Sequence, residues 1–341
     1  MTTEQYLTEL MDAKAGMKAA LKEKGVEVWG GLITYPDAIR QVGGYIPNGT
    51  RFAQSTFETS PVFDFSRVTD MSRMFYECKS LTTVSNMNTS NVTNMESMFH
   101  YCELLTSIPQ MDTSKVTNMN DMFWLCESLT EVPPMDTSNV TGMAHMFASC
   151  ESLTTIPQMD TSKVTSMYHM FWWCKSLTEV PPMDTSKVTN MNGMFNACNN
   201  LTTIPQISTI NVTDMEYMFA GCDSLTSVPQ MNTSSVTIMR GMFSGCKSLK
   251  RIPRLDAVEV INATNMFSGC ENLEDFRGLS GVQISFSLRD CPKLTYDSLH
   301  SIISALGLVD NKTLYLGEEN LAKLKDSDLY EANRLGWSLA A

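Results

Sequence analysis

The sequence predicts a repeat solenoid built from coils of 24 residues. Nine of the ten cysteines follow one another at intervals of 24 residues, from Cys78 to Cys270. A Met-Phe pair precedes each of these nine cysteines by the same interval, and a leucine follows each of them by three residues. A constant period in this range, with ladders of leucine and of valine or isoleucine, is typical of a leucine-rich solenoid. One coil cannot bury its own apolar side chains, so about nine coils must stack.

Each coil is predicted to hold one short helix and one short parallel strand. In one representative coil, Val116, Met119, Met122 and Phe123 lie at the spacing of one helix face. The segment 129–135 is short and contains two prolines, which favours an extended strand that pairs with its neighbours above and below. The predicted fold class is therefore an α/β leucine-rich repeat solenoid.

The cysteines and methionines are predicted to be core residues. Because each recurs at a fixed point of the repeat, equivalent side chains should stack as ladders in the interior. Zinc sites require cysteine pairs two to four residues apart, and this sequence has none. We therefore expect free, buried thiols, and methionines that fill gaps in the core.

The chain divides into three predicted parts. Residues 1–45 form a helical segment whose first helix ends at Gly25. This segment could simply cover the first coil, or it could attach the solenoid to a larger assembly. Residues 46–291 form the solenoid. Residues 292–341 form a mixed α/β cap, with a helix over 298–306, a strand over 313–316 and a helix over 318–334. An uncovered last coil would expose apolar side chains, which is why a cap is expected.

Charge and hydropathy argue against two classes of partner. The sequence has 25 basic and 37 acidic side chains, a net charge of −12, which disfavours nucleic acid and anionic membrane surfaces. No apolar run reaches the roughly 18 residues of a membrane span. The first residues lack the basic segment and apolar stretch of a Sec-type signal peptide, so no signal peptide is expected.

Two surfaces are candidate ligand-binding sites. Aromatic side chains occupy the two positions before the cysteine in several early coils, where stacking would form a strip suited to sugars or to a protein hot spot. The alternative is that these rings only shield the core. A second candidate surface is the outer side of the extended segments. The candidate residues are Tyr76, His100, Tyr101, Trp124, Trp172 and Trp173 in the strip, and Glu131 and Glu179 on the second surface.

No catalytic or metal site is expected. His145 and His169 occupy the same repeat position, but two imidazoles without nearby carboxylates are more often solvated surface than metal ligands. No combination of Ser, His and Asp, or of Cys and His, stands outside the repeat register. The sequence therefore predicts a non-enzymatic protein without a cofactor.

The repeat resembles the BspA-like leucine-rich repeat family over residues 67–291. The resemblance rests on phrases such as Met122-Phe-Trp-Leu-Cys126-Glu-Ser-Leu129 and Val132-Pro-Pro-Met135-Asp-Thr-Ser-Asn-Val140. It implies a surface protein of bacterial or phage origin whose solenoid binds proteins or glycans without catalysis. The family has no fixed set of binding residues that could be carried over to this chain.

The two ends resemble phage and prophage surface proteins. The N-terminal resemblance rests on residues 13–28 and 35–39, and the C-terminal one on Leu294-Thr-Tyr-Asp-Ser298-Leu299, Thr313-Leu-Tyr-Leu-Gly317 and Ala332-Asn-Arg-Leu-Gly336-Trp337. These resemblances imply a virion component that attaches to tail proteins through its N-terminal segment and binds a cell-surface glycan or protein. Two alternatives remain open, namely a bacterial BspA-like adhesin at the cell surface and a purely structural spacer.

Overall fold

The computed structural model describes residues 51–60 and 65–341. The predicted N-terminal segment, residues 1–45, lies outside them. Residues 24 apart face one another in consecutive coils, as in the parallel bridges from Asp70 to Asn94, from Asn94 to Asn118 and from Asn118 to Gly142. The described chain is therefore a solenoid whose coils follow the 24-residue period of the sequence.

The short helix predicted for each coil is wrong. In the described residues up to 295 there is no α-helix. The backbone N–H groups of Met71, Arg73, Phe75 and Glu77 instead donate to carbonyl oxygens of the next coil, at 2.8–2.9 Å. Arg73 and Glu77 both have φ of 57°, a left-handed conformation that a right-handed helix does not contain. Because every second amide is directed at the neighbouring coil, the bonds of an α-helix cannot close.

Tight turns replace the helix. Met74 N–H donates to the Met71 carbonyl at 3.1 Å, Cys78 N–H to the Phe75 carbonyl at 3.1 Å, and Leu81 N–H to the Cys78 carbonyl at 3.0 Å. Each of these bonds spans three residues, as in a 3₁₀ turn. The coil therefore returns a side chain to the interior at intervals of three residues, and these are the apolar positions of the repeat.

The predicted parallel pairing of the extended segments is present in short pieces. Thr130 N–H donates to the Thr106 carbonyl at 3.2 Å, but Pro133 and Pro134 have no N–H with which to extend the ladder. Among the described coils, regular two-residue strands form only in the last ones, where β1 pairs with β3 and β2 with β4 in parallel. Their bounds are β1 Arg251–Ile252, β2 Leu255–Asp256, β3 Asp275–Phe276 and β4 Leu279–Ser280.

The interior consists of side-chain ladders, as the repeat predicts. The Phe75 and Phe99 rings stack with centroids 5.5 Å apart and planes 1° apart, and further stacked pairs continue the ladder to Phe267. All ten cysteines are free and buried, which confirms the prediction for the thiols. Each thiol also has a polar partner in the preceding coil; Cys102 Sγ, for example, donates to the Phe75 carbonyl at 3.1 Å.

A ladder of buried threonines binds the coils together on another side. The Thr137 hydroxyl, with the residue 2% exposed, donates to the Asp160 carbonyl of the next coil at 2.8 Å. Equivalent bonds recur from coil to coil at 2.7–2.8 Å. They give each buried threonine hydroxyl an acceptor in the next coil. The residues of this ladder are Thr89, Thr113, Thr137, Thr161, Thr185, Thr209 and Thr233.

The C-terminal part extends the parallel ladder and adds helices over it. A three-stranded parallel sheet has the order β5-β6-β7, so it continues the direction in which the coils stack. The Ser298 side chain joins the first helix to the last coil, because its hydroxyl bonds both the N–H and the carbonyl of Phe276 at 2.9 Å. The elements are β5 Phe286–Ser287, α1 Tyr296–Ser304, β6 Lys312–Tyr315, α2 Glu318–Leu321, α3 Asp326–Arg334 and β7 Trp337–Ala340.

Two details of this part differ from the sequence-based expectation. The helix predicted over 318–334 is two helices, because the chain turns between them and the Asp328 carboxylate accepts the Lys325 N–H at 3.0 Å at the start of α3. At the turn, Lys323 Nζ donates to the Leu294 carbonyl at 2.9 Å. The final strand β7 has no counterpart in the prediction and pairs in parallel with β6.

A candidate recognition surface

The structure brings the aromatic candidates of the first coils together. The Tyr76 and His100 rings meet edge to face with centroids 4.9 Å apart, and the His100 ring stacks on that of Trp124 at 4.6 Å. Tyr101 lies beside His100, with ring centroids 5.9 Å apart. Tyr76, His100 and Trp124 occupy equivalent points of successive coils, so the stacking of coils places their rings in one row.

Residues that the sequence analysis did not assign to the strip complete the row. Ala148 stands where an aromatic residue would be expected, and His145 fills the gap by stacking on Trp124 with centroids 4.8 Å apart. His169 continues the row, at 5.4 Å from His145 and 5.3 Å from Trp172. We call this row the aromatic ladder; its members are Tyr76, His100, Trp124, His145, Tyr168, His169, Trp172 and Trp173.

The sequence contains a signal for His145 and His169, the two ladder histidines that the sequence analysis did not assign to the strip. His145 and His169 lie three residues before the aromatic position, and three residues is the spacing at which this coil returns side chains to the same side. Gly193 is the next residue in the His169 column, and a Cβ atom built there would lie 2.1 Å from the imidazole. A glycine in that column therefore indicates that the histidine ring extends over the following coil.

The rings of the ladder are exposed to different extents. Tyr76, His100, Trp124 and Trp172 are half-buried, whereas Trp173 retains 43% of its accessible surface. The indole nitrogen of Trp124 is buried and, among the described residues, has no hydrogen-bond partner. The rings in the middle of the ladder are thus packed against their neighbours, whereas the ring at its C-terminal end is accessible to a ligand.

The second predicted surface is not joined to the ladder. Glu131 and Glu179 are exposed on extended segments two coils apart, with Thr155 between them in the same column. Glutamine side chains of this region bond to the backbone, as where Gln110 Nε2 donates to the Pro134 carbonyl at 2.8 Å and Gln158 Nε2 to the Pro182 carbonyl at 2.8 Å. Glutamine side chains on this surface therefore bond one coil to the next, and the carboxylates of Glu131 and Glu179 are not brought together.

Charged groups flank the ladder in pairs. Lys79 bonds Glu103 at 2.7 Å, and Lys175 bonds Glu151 at 2.8 Å. The two lysines also lie over aromatic rings, with Lys79 Nζ 4.3 Å from the Tyr101 ring centroid and Lys175 Nζ 4.8 Å from that of Trp173. Such cation–π contacts hold the rings in place at the surface.

The histidines of the ladder are suited to packing as neutral rings. Burial, together with the nearby His145, lowers the pKa of His169 to about 4. Burial also lowers the pKa of His100. At neutral pH these two imidazoles are uncharged, so they stack as aromatic groups. His145 Nδ1 lies 3.1 Å from the Asp121 carboxylate, which orients its ring, so the expectation that no carboxylate lies near this histidine is wrong.

No group of three or more histidine, cysteine, aspartate or glutamate side chains among the described residues is placed to hold a metal ion. Burial raises the pKa of the Cys78 thiol to about 11 and those of most other cysteines still further, which makes them poor nucleophiles. No helix in the described part of the chain is long and apolar enough to cross a membrane.

A cleft of about 640 Å³ lies between the last coil and the C-terminal part. Asp290 at its wall accepts hydrogen bonds from the Ser268 hydroxyl and the Gly269 N–H, both at 3.0 Å. Arg289 lies over the Tyr315 ring, 4.6 Å from its centroid. The cleft contains none of the predicted site residues, and its walls bond mainly to one another.

The stacked coils and their surface ladders define a non-globular repeat protein of the leucine-rich solenoid class. A family model described as "Mycoplasma protein of unknown function, DUF285" matches residues 50–153, 103–201 and 177–277. These overlapping matches together span residues 50–277, or 277 − 50 + 1 = 228 of the 341 residues. The chain belongs to this family.

Three of the similar solved structures are bacterial leucine-rich repeat proteins. A Treponema pallidum leucine-rich repeat protein is 23% identical, with 52% of this chain and 81% of that chain covered and a TM-score of 0.40. A Bacteroides ovatus leucine-rich repeat protein is 16% identical over 84% of this chain and 90% of that one, with a TM-score of 0.29. A leucine-rich cell surface protein of Faecalibacterium prausnitzii is 18% identical over 84% and 91%, with a TM-score of 0.30.

No curated protein sequence gives a significant match. The TM-scores are all below 0.5, so the class of fold rests on this chain's own inter-coil hydrogen bonds and repeat.

Proposed function

We propose that this protein is a non-catalytic recognition protein whose solenoid presents the aromatic ladder to a protein or glycan at a cell surface. The observation that carries the proposal is the ladder itself, an unbroken row of rings on one side of the solenoid that ends in the exposed Trp173. Exposed aromatic side chains beside half-buried ones are the usual centres of binding surfaces. The inter-coil hydrogen bonds make the backbone beneath them rigid, which lowers the entropy lost on binding.

Substitutions for the test can be taken from other coils of the same protein. Ala197 occupies the position of Trp173 in the next coil, and Ser149 that of Tyr101 two coils on, so Trp173→Ala and Tyr101→Ser introduce residues that the backbone already accepts. Ile210→Ser is a matched control, because Ile210 is an exposed apolar residue in a column otherwise rich in serine, away from the ladder.

The experiment measures binding of the fluorescently labelled protein to a panel of bacterial and animal cells by flow cytometry. We expect Trp173→Ala and Tyr101→Ser to weaken binding about tenfold, the effect of losing one hot-spot side chain. Ile210→Ser should bind as the unaltered protein does, and all three variants should keep its melting temperature within a few degrees. Unchanged binding by both aromatic variants, Trp173→Ala in the ladder and Tyr101→Ser beside it, would contradict the proposal and favour a structural spacer.

The resemblances of the sequence support two locations for such a protein. The terminal segments favour a virion component that attaches through residues 1–45, and the repeats favour a bacterial adhesin of the BspA-like type. Lysis of the producing culture, density purification of particles and mass spectrometry would separate them. Enrichment in particles is expected of the virion component, and recovery in the cell envelope alone is expected of the adhesin.

A further inference from the structure

The rings inside the aromatic ladder expose edges, not faces. Trp124 is covered on one face by His100, at 4.6 Å, and on the other by His145, at 4.8 Å with planes 8° apart. A sugar binds an aromatic side chain by stacking on an open face. The middle of the ladder therefore has no open face on which to stack a glycan.

Apolar side chains around these edges form a patch in two adjacent coils. Leu104 is 52% exposed and replaces the serine that most coils have at this position. Tyr101 and Leu125 occupy equivalent points of the two coils and are half-buried. Their backbones are locked by bonds to the next coil, from Tyr101 N–H to the Trp124 carbonyl at 2.8 Å and from Leu125 N–H to the Ala148 carbonyl at 2.9 Å.

Carboxylates border this patch along one column. Glu103, Glu127 and Glu151 follow the cysteines of three successive coils. Glu103 and Glu151 each pair with one lysine, at the two ends of the column. Glu127 between them is exposed and has no ion pair within the described chain. The protein as a whole carries a net charge of −12, which adds to the negative potential around the patch.

We propose that Tyr101, Leu104 and Leu125, with Glu127 at their border, form a docking surface for a protein partner whose apolar centre is surrounded by lysine and arginine. This inference rests on the proposed function and assigns its partner class. The central aromatic and aliphatic groups supply buried area, and Glu127, together with the net negative charge of the protein, complements a basic rim on the partner. The covered ring faces disfavour a glycan in the same place.

The test uses two defined probes and the full-length protein. One probe is an amphipathic helical peptide of leucine and lysine, and the other has glutamate in place of lysine. A triple variant, Tyr101→Ser with Leu104→Ser and Leu125→Ser, removes the apolar centre and leaves the net charge unchanged. Leu104→Ser alone changes only an exposed position, so it replaces the triple variant in the binding test if the triple variant does not fold. Glu127→Gln removes a border charge, and Ile210→Ser is the matched control on another column.

We expect the leucine-lysine peptide to bind in biolayer interferometry and the leucine-glutamate peptide not to bind. The triple variant should bind the first peptide about tenfold or more weakly, as expected for a lost hot-spot centre, and Leu104→Ser and Glu127→Gln should have smaller effects. Equal binding by the triple variant, an equal loss in Ile210→Ser, or no binding of either peptide would overturn the assignment.

A second measurement separates this inference from the proposed function. Cells that bind the protein are treated with trypsin, which removes surface proteins, or with periodate, which oxidises glycans. Loss of binding after trypsin alone supports the protein partner. Loss after periodate alone would overturn it and leave the recognition function in place. Failure of the unaltered protein to bind any cell would instead count against the recognition function itself.

Discussion

The indole ring of Trp124 lies parallel to the imidazole ring of His145, with centroids 4.8 Å apart and planes 8° apart. The two residues are 21 positions apart in the sequence, so they do not occupy the same point of the repeat. His145 stacks there because the equivalent of Trp124 in its own coil is Ala148, which leaves room for a ring from the neighbouring turn. The contact makes the aromatic ladder continuous where the repeat alone would interrupt it.

We expect Trp124→Ala to reduce the free energy of unfolding by about 2–4 kcal/mol, because it removes a half-buried ring that packs on both faces. Trp173→Ala should cost less than about 1 kcal/mol, because that ring is 43% exposed. Urea unfolding followed by circular dichroism measures both. Equal losses in the two variants would show that the ladder is packed uniformly along its length.

The stability of the protein should fall as the pH drops from about 6.5 toward 4. The pKa of His169 is lowered from 6.5 to about 4 in the folded chain, so between these values the unfolded chain binds a proton that the folded chain does not. Stability therefore rises with pH across this window and is fully present above it. The contribution of His169 to the free energy of unfolding above this window is about 1–3 kcal/mol.

His169→Asn tests this assignment. Asparagine tolerates the left-handed backbone at this position, where φ is 52°, and it does not titrate. Urea unfolding of both proteins at pH 4.5 and pH 7.5 should show a smaller difference between the two pH values for the variant. An identical difference would assign the pH dependence to other groups.

The ten cysteines should be unreactive in the folded protein. All are buried, and burial raises the pKa of most of these thiols, so the thiolate that reacts is scarce at pH 8. Ellman's reagent should therefore label none of them rapidly in native buffer and all ten in guanidinium chloride. Rapid labelling of native protein would show that the coils open locally.

Thr137→Val should destabilise the fold by about 1–2 kcal/mol, because it removes the hydrogen bond that the buried Thr137 hydroxyl donates to the Asp160 carbonyl at 2.8 Å. Thr141→Val is the matched control. Its hydroxyl is exposed and bonds the Thr117 carbonyl at 3.2 Å, where water can replace it, so the expected change is within about 0.5 kcal/mol. Chemical unfolding of the two variants should separate them clearly.

The sequence predicts much of this fold because the repeat is strict. A residue type that recurs every 24 positions must lie in a ladder once the coils stack, and the phenylalanines, cysteines and methionines are buried as expected. The local backbone was harder to predict. Val116, Met119, Met122 and Phe123 fit a helix face, but their spacing fits turns of three residues equally well, and over so short a segment the two periods cannot be distinguished.

The competition between local and inter-coil hydrogen bonds decides whether these segments form helices or turns. Met119 N–H bonds the Gly142 carbonyl of the next coil at 2.9 Å, and Asp121 N–H bonds the Ala144 carbonyl at 2.9 Å. An isolated segment of this length gains little from helix formation. In the stack, each coil can satisfy its amides through its neighbour, so the left-handed turns are stabilised by a partner that the local sequence does not contain.

For the candidate site too, some features follow from the sequence alone and others depend on the tertiary structure. The sequence alone determined the period, the residues that face the interior and the collection of aromatic residues in the early coils, because all of these follow from a repeat that must stack. The tertiary structure decided which rings touch, since His145 joins the ladder only by extending beside Ala148, and it decided that the ring faces in the middle of the ladder are covered. Contacts between different points of the repeat depend on side-chain volume and direction in three dimensions, and a one-dimensional period carries no such information.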